Sequence, residues 1–371
     1  MNIFVFGTRG IPNIQGGVEK HCEELYSTMP EDFFITLFRR KPYLGRDTSN
    51  QYKHIHFIDL FSTKIKGVES FYHSFLAALY CIFHRQDIVH VHNIGPGIFI
   101  PLLKLFRRKV VLTYHSSNYE HEKWNWLGKL ILKTGEKFAL SGADAIIFVN
   151  KEQLKKFSEK IQKKSFHIPN GVRFLERSEQ MDYLKKYDLT PQKYIFAIGR
   201  ITPEKGFDYL IDTFLTLPDK NYKLVIAGGI DHKTPYSKTI YEKIQKQDNI
   251  VMTGFVKGEE LRQLYSHAKL FVLSSYNEGF SLVLLEAMNY KLPVLVSDIS
   301  ATRAVKIPKD SYFQAGDKKD LSQKLCQQLA KPYSLINYNL TEYQWGNIAA
   351  QTAGIYQKLV EDSHQRHITT N

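Results

Sequence analysis

The chain has 371 residues, 43% of them hydrophobic and 23% charged, which is enough apolar material for two cores and excludes disorder over most of its length. Three widely separated cysteines (Cys22, Cys81 and Cys326), with no CxxC pair, exclude a disulfide framework and a cysteine-based zinc site. The net charge of +13 favours anionic partners such as nucleic acid, phospholipid or phosphorylated substrates, or serves solubility alone; residues 1–190 hold 28 Lys and Arg against 19 Asp and Glu, and the remainder 22 against 18.

Met1–Gly7 reads as a first strand. It lacks the basic region and small-residue cleavage site of a signal peptide, so the expectation is a cytoplasmic protein. Short β-branched or aromatic runs then recur at Ile3–Phe6, Ile35–Phe38, Ile55–Phe57, Ile88–Val91, Val110–Thr113 and Ile146–Val149. Amphipathic stretches such as Gly17–Met29 and Ser70–Phe83 separate them, the signature of βα units around a parallel sheet buried on both faces. Ile168-Pro169-Asn170-Gly171-Val172 breaks the pattern, and a polar helical stretch follows to about Lys186. Strand-like runs resume at Tyr194–Ile198, Lys223–Ala227, Ile250–Thr253, Leu270–Leu273 and Pro293–Val296, before a helix-rich end and a polar tail from His364 that reads as frayed. The expected architecture is α/β, with two Rossmann-like domains whose strand ends face a central cleft.

The chemistry-bearing segments follow predicted strands. Gly7-Thr8-Arg9-Gly10-Ile11-Pro12 leads to Gly16-Gly17-Val18-Glu19 at the start of the first helix. The GxGxxG fingerprint is absent, but Gly16 and Gly17 either form a plain turn or let backbone approach a phosphate or sugar. His90 and His92 alternate along one strand and so point the same way; His90 reads as structural, while His92 stays open between structure and ligation, with no third ligand spaced near them. Ile98–Lys109 is apolar and then basic, read as a buried helix with a basic last turn or as a segment lying on an anionic membrane; it is too short to span one. His115, at the end of another strand, is either a loop-bound histidine or a donor or general acid/base.

In Gly199-Arg200-Ile201-Thr202-Pro203-Glu204-Lys205-Gly206, a guanidinium and an ammonium stand five residues apart and can neutralise a pyrophosphate, unless the loop is merely a solvated turn. Asn277–Met288 carries two glutamates eight residues apart. On one helix, eight steps of about 100° would leave them roughly 80° apart. Gly279 and Ser281 argue instead for Glu278 in a loop, Ser281 as a helix cap and Glu286 inside the helix, with the N–H groups of Gly279, Phe280, Ser281 and Leu282 accepting an anion. No Asp-x-Asp triplet occurs, so no acidic pair is placed to hold a nucleotide through a divalent metal.

Together these segments resemble the family 4 glycosyltransferases of the GT-B fold over nearly the whole chain. Glu278–Glu286 matches that family's E-x7-E spacing, Gly199–Gly206 its diphosphate loop, and Ile168–Val172 the usual exit from its first domain. Gly7–Pro12 with Gly16–Glu19 looks like a bacterial subgroup containing rhamnosyltransferases of capsule and O-antigen assembly. That subgroup has a His-Gly-containing stretch where this chain reads His115-Ser116-Ser117-Asn118, without the glycine. The resemblance implies an acceptor-side domain over residues 1–178 with about 355–371 crossing back, and a donor-binding domain over 179–354. It implies retaining transfer of a sugar from a nucleotide-sugar donor to a glycan or lipid-linked glycan, with no metal or other cofactor. Arg200 and Lys205 would hold the diphosphate, Glu286 the ribose, and Glu278 the donor sugar. Gly16, Gly17 and Gly279 to Leu282 would complete the donor site, Val256 would lie near the base, and His115 near the reacting centre. The last helix, from about Trp345 to Val360, would cross back to the first domain. Two other classes remain, a nucleotide-sugar epimerase of similar fold and a non-catalytic nucleic-acid-binding protein, although no nucleic-acid motif appears.

Overall fold

The computed structural model describes residues 1–45, 51–63, 65, 68–117, 126–230 and 234–369. The chain divides into two units, residues 1–171 with 342–371, and residues 172–341.

The first unit is built on β1 (Asn2–Phe6), β2 (Phe34–Arg40), β3 (Ile55–Leu60), β4 (Ile88–His92), β5 (Val110–Tyr114), β6 (Ala145–Phe148) and β7 (Ser165–His167). All pair in parallel in the order β3-β2-β1-β4-β5-β6-β7. Helices cover both faces of the sheet, so every residue of β4, β5 and β6 is buried, including His90 and His92 among the apolar residues of β4. The crossovers carry α1 (Gly17–Thr28), α2 (Val68–Phe83), α3 (Ile100–Leu105), α4 (Trp126–Gly142), α5 (Lys151–Leu154) and α6 (Glu159–Gln162). Phe6, Val89, Val91, Leu112 and Ile146 join Ala77, Ile100 and Ala139 in one core.

The second unit repeats the plan with β8 (Tyr194–Ile198), β9 (Lys223–Ala227), β10 (Ile250–Gly254), β11 (Leu270–Leu273), β12 (Val294–Ser297) and β13 (Tyr312–Phe313), ordered β10-β9-β8-β11-β12-β13 and again parallel. Its helices are α7 (Asp182–Lys186), α8 (Phe207–Thr216), α9 (Pro235–Ile244), α10 (Gly258–His267), α11 (Leu282–Asn289), α12 (Ser300–Arg303) and α13 (Lys318–Ala330). In each sheet the chain starts at a middle strand, runs to one edge, and returns to the other side. The order therefore reverses between β1 and β4, and between β8 and β11. At such switch points the loops leaving the carboxyl ends diverge and leave a crevice for ligand.

Three sequence expectations need correction. The unit boundary lies at residue 171/172 rather than 178/179, because residues just beyond it bond into the second unit. The Arg177 guanidinium donates to the Tyr290 carbonyl at 2.6 Å, and the Ser178 N–H to the Ser266 hydroxyl at 2.7 Å. The polar stretch before Lys186 is helical only over α7. The return to the first unit begins at residue 342, not 355. The last helix, α14 (Trp345–Thr369), seats the Trp345 indole where a Cβ on Gly171 would come within 2.6 Å, and buries Tyr356 beside His90. Its backbone stays helical through the stretch from His364 that reads as frayed; Thr370 and Asn371 lie outside the described residues. Strands β7 and β13 are absent from the sequence reading because three and two residues carry no readable alternation.

Candidate active site

At the switch point of the second unit, the loop after β8 meets the loop after β11. The first loop makes a short 3-10 turn over Pro203–Lys205 and passes through Gly206 in the left-handed region, φ +63°. A Cβ there would sit 2.3 Å from both the Ser274 carbonyl and the Tyr209 ring, so only glycine permits this approach. The two loops are laced together. The Ser274 hydroxyl donates to the Lys205 carbonyl at 2.8 Å, and the Tyr276 N–H to the Glu204 carbonyl at 2.9 Å. The Lys205 stem crosses Gly199, where a Cβ would lie 3.2 Å from its Cδ.

This lacing brings together the charges that the sequence separates by 73 residues. Lys205 Nζ donates to Glu278 Oε1 at 2.5 Å, and the Ser275 hydroxyl donates to the same oxygen at 2.7 Å. Both charged side chains are mostly buried, 15% and 13% exposed. Arg200 lies 3.8 Å from Glu204 and keeps 30% of its side chain exposed. Before any ligand arrives, each cation rests against a carboxylate. A diphosphate arriving here would compete for an ammonium already held in position.

Helix α11 opens just beyond. Ser281 occupies its cap position with extended dihedrals, but its hydroxyl makes no capping bond, contrary to the expectation from sequence. That hydroxyl is buried and has no hydrogen-bond partner. Helix N-termini present free N–H groups and a positive dipole end, which suits an anion. A buried hydroxyl left unpaired beside one is a donor in reserve. One turn inside the helix, Glu286 accepts from the Tyr265 hydroxyl at 2.8 Å, and Tyr265 stacks on Tyr290 with ring centres 5.2 Å apart. The Tyr265 hydroxyl, its ring held against Tyr290, fixes the carboxylate inside the first turns of the helix.

The first unit holds a second constellation at its own switch point. His92 ends β4, His115 follows β5, and His21 comes from α1. All three are buried. One ring nitrogen from each lies within 4.8 Å of those of the other two. His92 Nδ1 and His115 Nε2 are 3.0 Å apart, His92 Nε2 meets the Tyr26 hydroxyl at 2.7 Å, and that hydroxyl meets His90 Nδ1 at 2.9 Å. His90 is tied further to the Tyr356 hydroxyl at 2.5 Å and to Thr113 Oγ1 at 2.7 Å. His21 Nδ1 meets the Asn170 side-chain oxygen at 2.7 Å. Burial disfavours the charged imidazolium. It lowers His21 to about 4, against the opposing Asn170 bond, and His90 to about 3, with His21 adding to the effect. Burial, and then the neighbouring histidines, push His92 and His115 well below the usual range. The cluster is neutral at pH 7.

The predicted residues thus fall into two groups. Arg200, Lys205, Val256, Glu278, Gly279, Phe280, Ser281, Leu282 and Glu286 belong to the second unit; His115, Gly16 and Gly17 belong to the first. Lys205 and Glu278 are in direct contact, and Val256 is buried. At Gly16 a Cβ would come within 1.9 Å of the Glu19 carboxylate, which also accepts the Arg9 N–H at 3.1 Å, so this glycine makes room for a carboxylate of its own chain. Asn118 lies outside the described residues. Sequence reasoning missed Ser275, Tyr265, Tyr26 and His21. It also missed that His92 has two further imidazoles beside it, brought from segments 23 and 71 positions away.

The profile of the family described as Glycosyltransferase Family 4 matches residues 15–174, and that described as Glycosyl transferases group 1 matches residues 179–339. The chain is 24% identical over 254 residues to an uncharacterized 41.2 kDa protein in the cps region of Klebsiella pneumoniae, covering 65% of this chain and 69% of that one. It is 28% identical over 193 residues to the O-antigen chain mannosyltransferase B of Escherichia coli, covering 49% of this chain and only 50% of that protein. Among solved structures, sucrose-phosphate synthase from Thermosynechococcus elongatus superposes with a TM-score of 0.81 at 21% identity, over 97% of this chain and 99% of that one.

Proposed function

We propose that this chain, a family 4 glycosyltransferase of the GT-B fold, moves a hexosyl or deoxyhexosyl group from a nucleotide-sugar donor to a glycan or lipid-linked glycan acceptor in bacterial surface polysaccharide assembly. The observation that carries this reading is the contact of Lys205 with Glu278 beside the N-terminus of α11, where the Ser281 hydroxyl is buried and unpaired. The donor diphosphate takes Lys205, Arg200, Ser281 and the N–H groups of Gly279 to Leu282. The ribose hydroxyls donate to Glu286, the base lies against Val256, and the sugar lies by Glu278. The bond from the anomeric carbon to the phosphate oxygen breaks as an acceptor oxygen bonds to the same face, so configuration is retained. The acceptor proton leaves with the departing phosphate. Arg200 and Lys205 stabilise the charge growing on that phosphate, the role a metal ion fills elsewhere.

The acceptor side includes a membrane contact. Val68, Phe71, Tyr72 and Phe75 of α2 and Trp126, Leu130, Ile131 and Phe138 of α4 are all exposed. Both helices flank the turn at residues 96–99, with Phe71 and Phe99 rings 5.0 Å apart and Gly97 against Ala139. Exposed Lys129, Lys133 and Lys137 on α4 add the positive charge that an anionic lipid surface attracts. Among the described residues, no helix is long and apolar enough to cross a membrane.

The deciding experiment is a thermal-shift panel of UDP-, GDP- and dTDP-sugars in EDTA, followed by transfer assays with the stabilising donor. One nucleotide sugar should raise the melting temperature and be consumed only when acceptor is present. Consumption without acceptor identifies an epimerase, and tight RNA or DNA binding without donor binding identifies a nucleic-acid protein; either overturns the proposal.

A further inference from the structure

We infer that His21, His92 and His115 form a binding site for a single divalent transition-metal ion of the zinc class, within the first unit and separate from the residues that hold the diphosphate. Three features of the cluster suit an ion better than a plain hydrogen-bonded core. First, His21 Nε2 is fully buried without a partner, while its Nδ1 is committed to the Asn170 amide oxygen, which can only accept. Nδ1 therefore carries the proton, and Nε2 holds a lone pair with nothing to receive it. A buried lone pair of this kind calls for a ligand.

Second, the outward nitrogens are anchored as they are around bound metals. His92 Nε2 can donate to the Tyr26 hydroxyl, which donates in turn to His90 Nδ1, leaving His90 Nε2–H for Thr113. That proton arrangement frees the His92 Nδ1 lone pair to face inward. Such outer partners fix the tautomer and orientation of ligating histidines. Third, the spacing is within reach. Zinc–nitrogen bonds of about 2.0–2.1 Å in tetrahedral geometry separate the nitrogens by about 3.4 Å. His92 Nδ1 and His115 Nε2 already stand 3.0 Å apart, and one nitrogen of each of the three rings lies within 4.8 Å of the others. The ion replaces the hydrogen bond between His92 and His115 and draws His21 inward by about 1.4 Å at most. Three neutral imidazoles leave a fourth position for water or a hydroxyl oxygen, the pattern of an open zinc site. Nitrogen-only ligation selects zinc, cobalt or nickel over magnesium and calcium, which prefer oxygen.

The test uses tag-free, full-length protein stripped with EDTA and titrated with Co2+. One Co2+ per chain should bind, with the visible absorption of a tetrahedral nitrogen site. Zn2+ should displace it and Mg2+ should not. His21→Gln and His92→Gln should abolish the spectrum, and Tyr26→Phe should weaken affinity by about 10-fold or more through the lost orienting bond. Circular dichroism establishes that each variant is folded. Should a histidine variant fail to fold, the wild-type stoichiometry and the Tyr26→Phe comparison decide. Absence of stoichiometric Co2+ binding by wild-type protein, unchanged binding in folded His21→Gln or His92→Gln, or displacement by Mg2+ would overturn the inference. Because these readouts require no sugar donor, the site stands or falls independently of the proposed transfer reaction.

Discussion

Lys205→Met isolates the diphosphate contact. Methionine keeps the apolar stem that crosses Gly199 and removes only the ammonium. In the free protein the Lys205 side chain is 15% exposed and its ammonium is held 2.5 Å from Glu278, so it is already placed for a phosphate oxygen. A hydrogen bond to a charged group contributes about 1.5–3 kcal/mol, and the upper end of that range is about a 100-fold change in dissociation constant. At a donor concentration of 100 times the wild-type dissociation constant, binding stabilises the protein by about 2.7 kcal/mol. The variant at the same concentration sits near its own dissociation constant and gains only RT ln 2, about 0.4 kcal/mol. For a unit of this size each kcal/mol moves the melting temperature by about 2–4 °C, so the donor-induced shift should fall from about 5–11 °C to about 1 °C. The assay is differential scanning fluorimetry, with each protein's unliganded melt as its own reference. That reference removes the separate cost of leaving the Glu278 carboxylate with Ser275 alone. A variant that keeps the full donor-induced shift would refute the placement of Lys205 against the diphosphate.

Four further outcomes follow from the same geometry. Glu286→Gln should reduce kcat/KM for transfer by about 10–100-fold, because a charged acceptor becomes a neutral amide; undiminished turnover would remove Glu286 from the donor site. Gly206→Ala should destabilise the protein by about 1–3 kcal/mol in urea unfolding, since its φ of +63° and the 2.3 Å clash with Ser274 must both be relieved; a neutral change would mean that the loop is not fixed there. Stability should fall on acidification in EDTA. His21 and His90 titrate near 4 and 3 in the folded protein but near 6.5 when unfolded. The unfolded chain therefore binds more protons below pH 6.5, and each imidazole removes about 1.4 kcal/mol per pH unit until its folded value is reached. Urea midpoints from pH 7.5 to 4.5 should drop along that slope, and His21→Gln should flatten it; a flat wild-type profile would contradict the burial of these rings. Paired Leu130→Glu and Ile131→Glu changes on α4 should abolish sedimentation with anionic vesicles while neutral vesicles never bind; unchanged sedimentation would move the membrane contact elsewhere.

How much of this was legible in the sequence depends on how far apart in the chain the cooperating groups lie. The strand-and-helix alternation follows from local patterns, because an apolar run such as Val110–Tyr114 is buried whatever its neighbours are; the order of strands in each sheet does not. Glu278 in a loop and Glu286 in a helix were readable because glycine and serine mark the change of conformation within a few residues. The Ser281 hydroxyl shows where local reading stops. A serine at a cap position predicts a capping bond, yet here the hydroxyl is buried and unpaired beside the Lys205–Glu278 contact. That departure from the local rule falls where function is expected to override it. The histidines mark the same limit more sharply. His90 and His92 could be placed on one face of one strand from their spacing, but His21 and His115 reach them only because α1 and β5 both border the β1/β4 switch point. No spacing in the sequence encodes that meeting. The physical sign that it matters is a buried lone pair on His21 with no donor to meet it, which only the folded chain reveals.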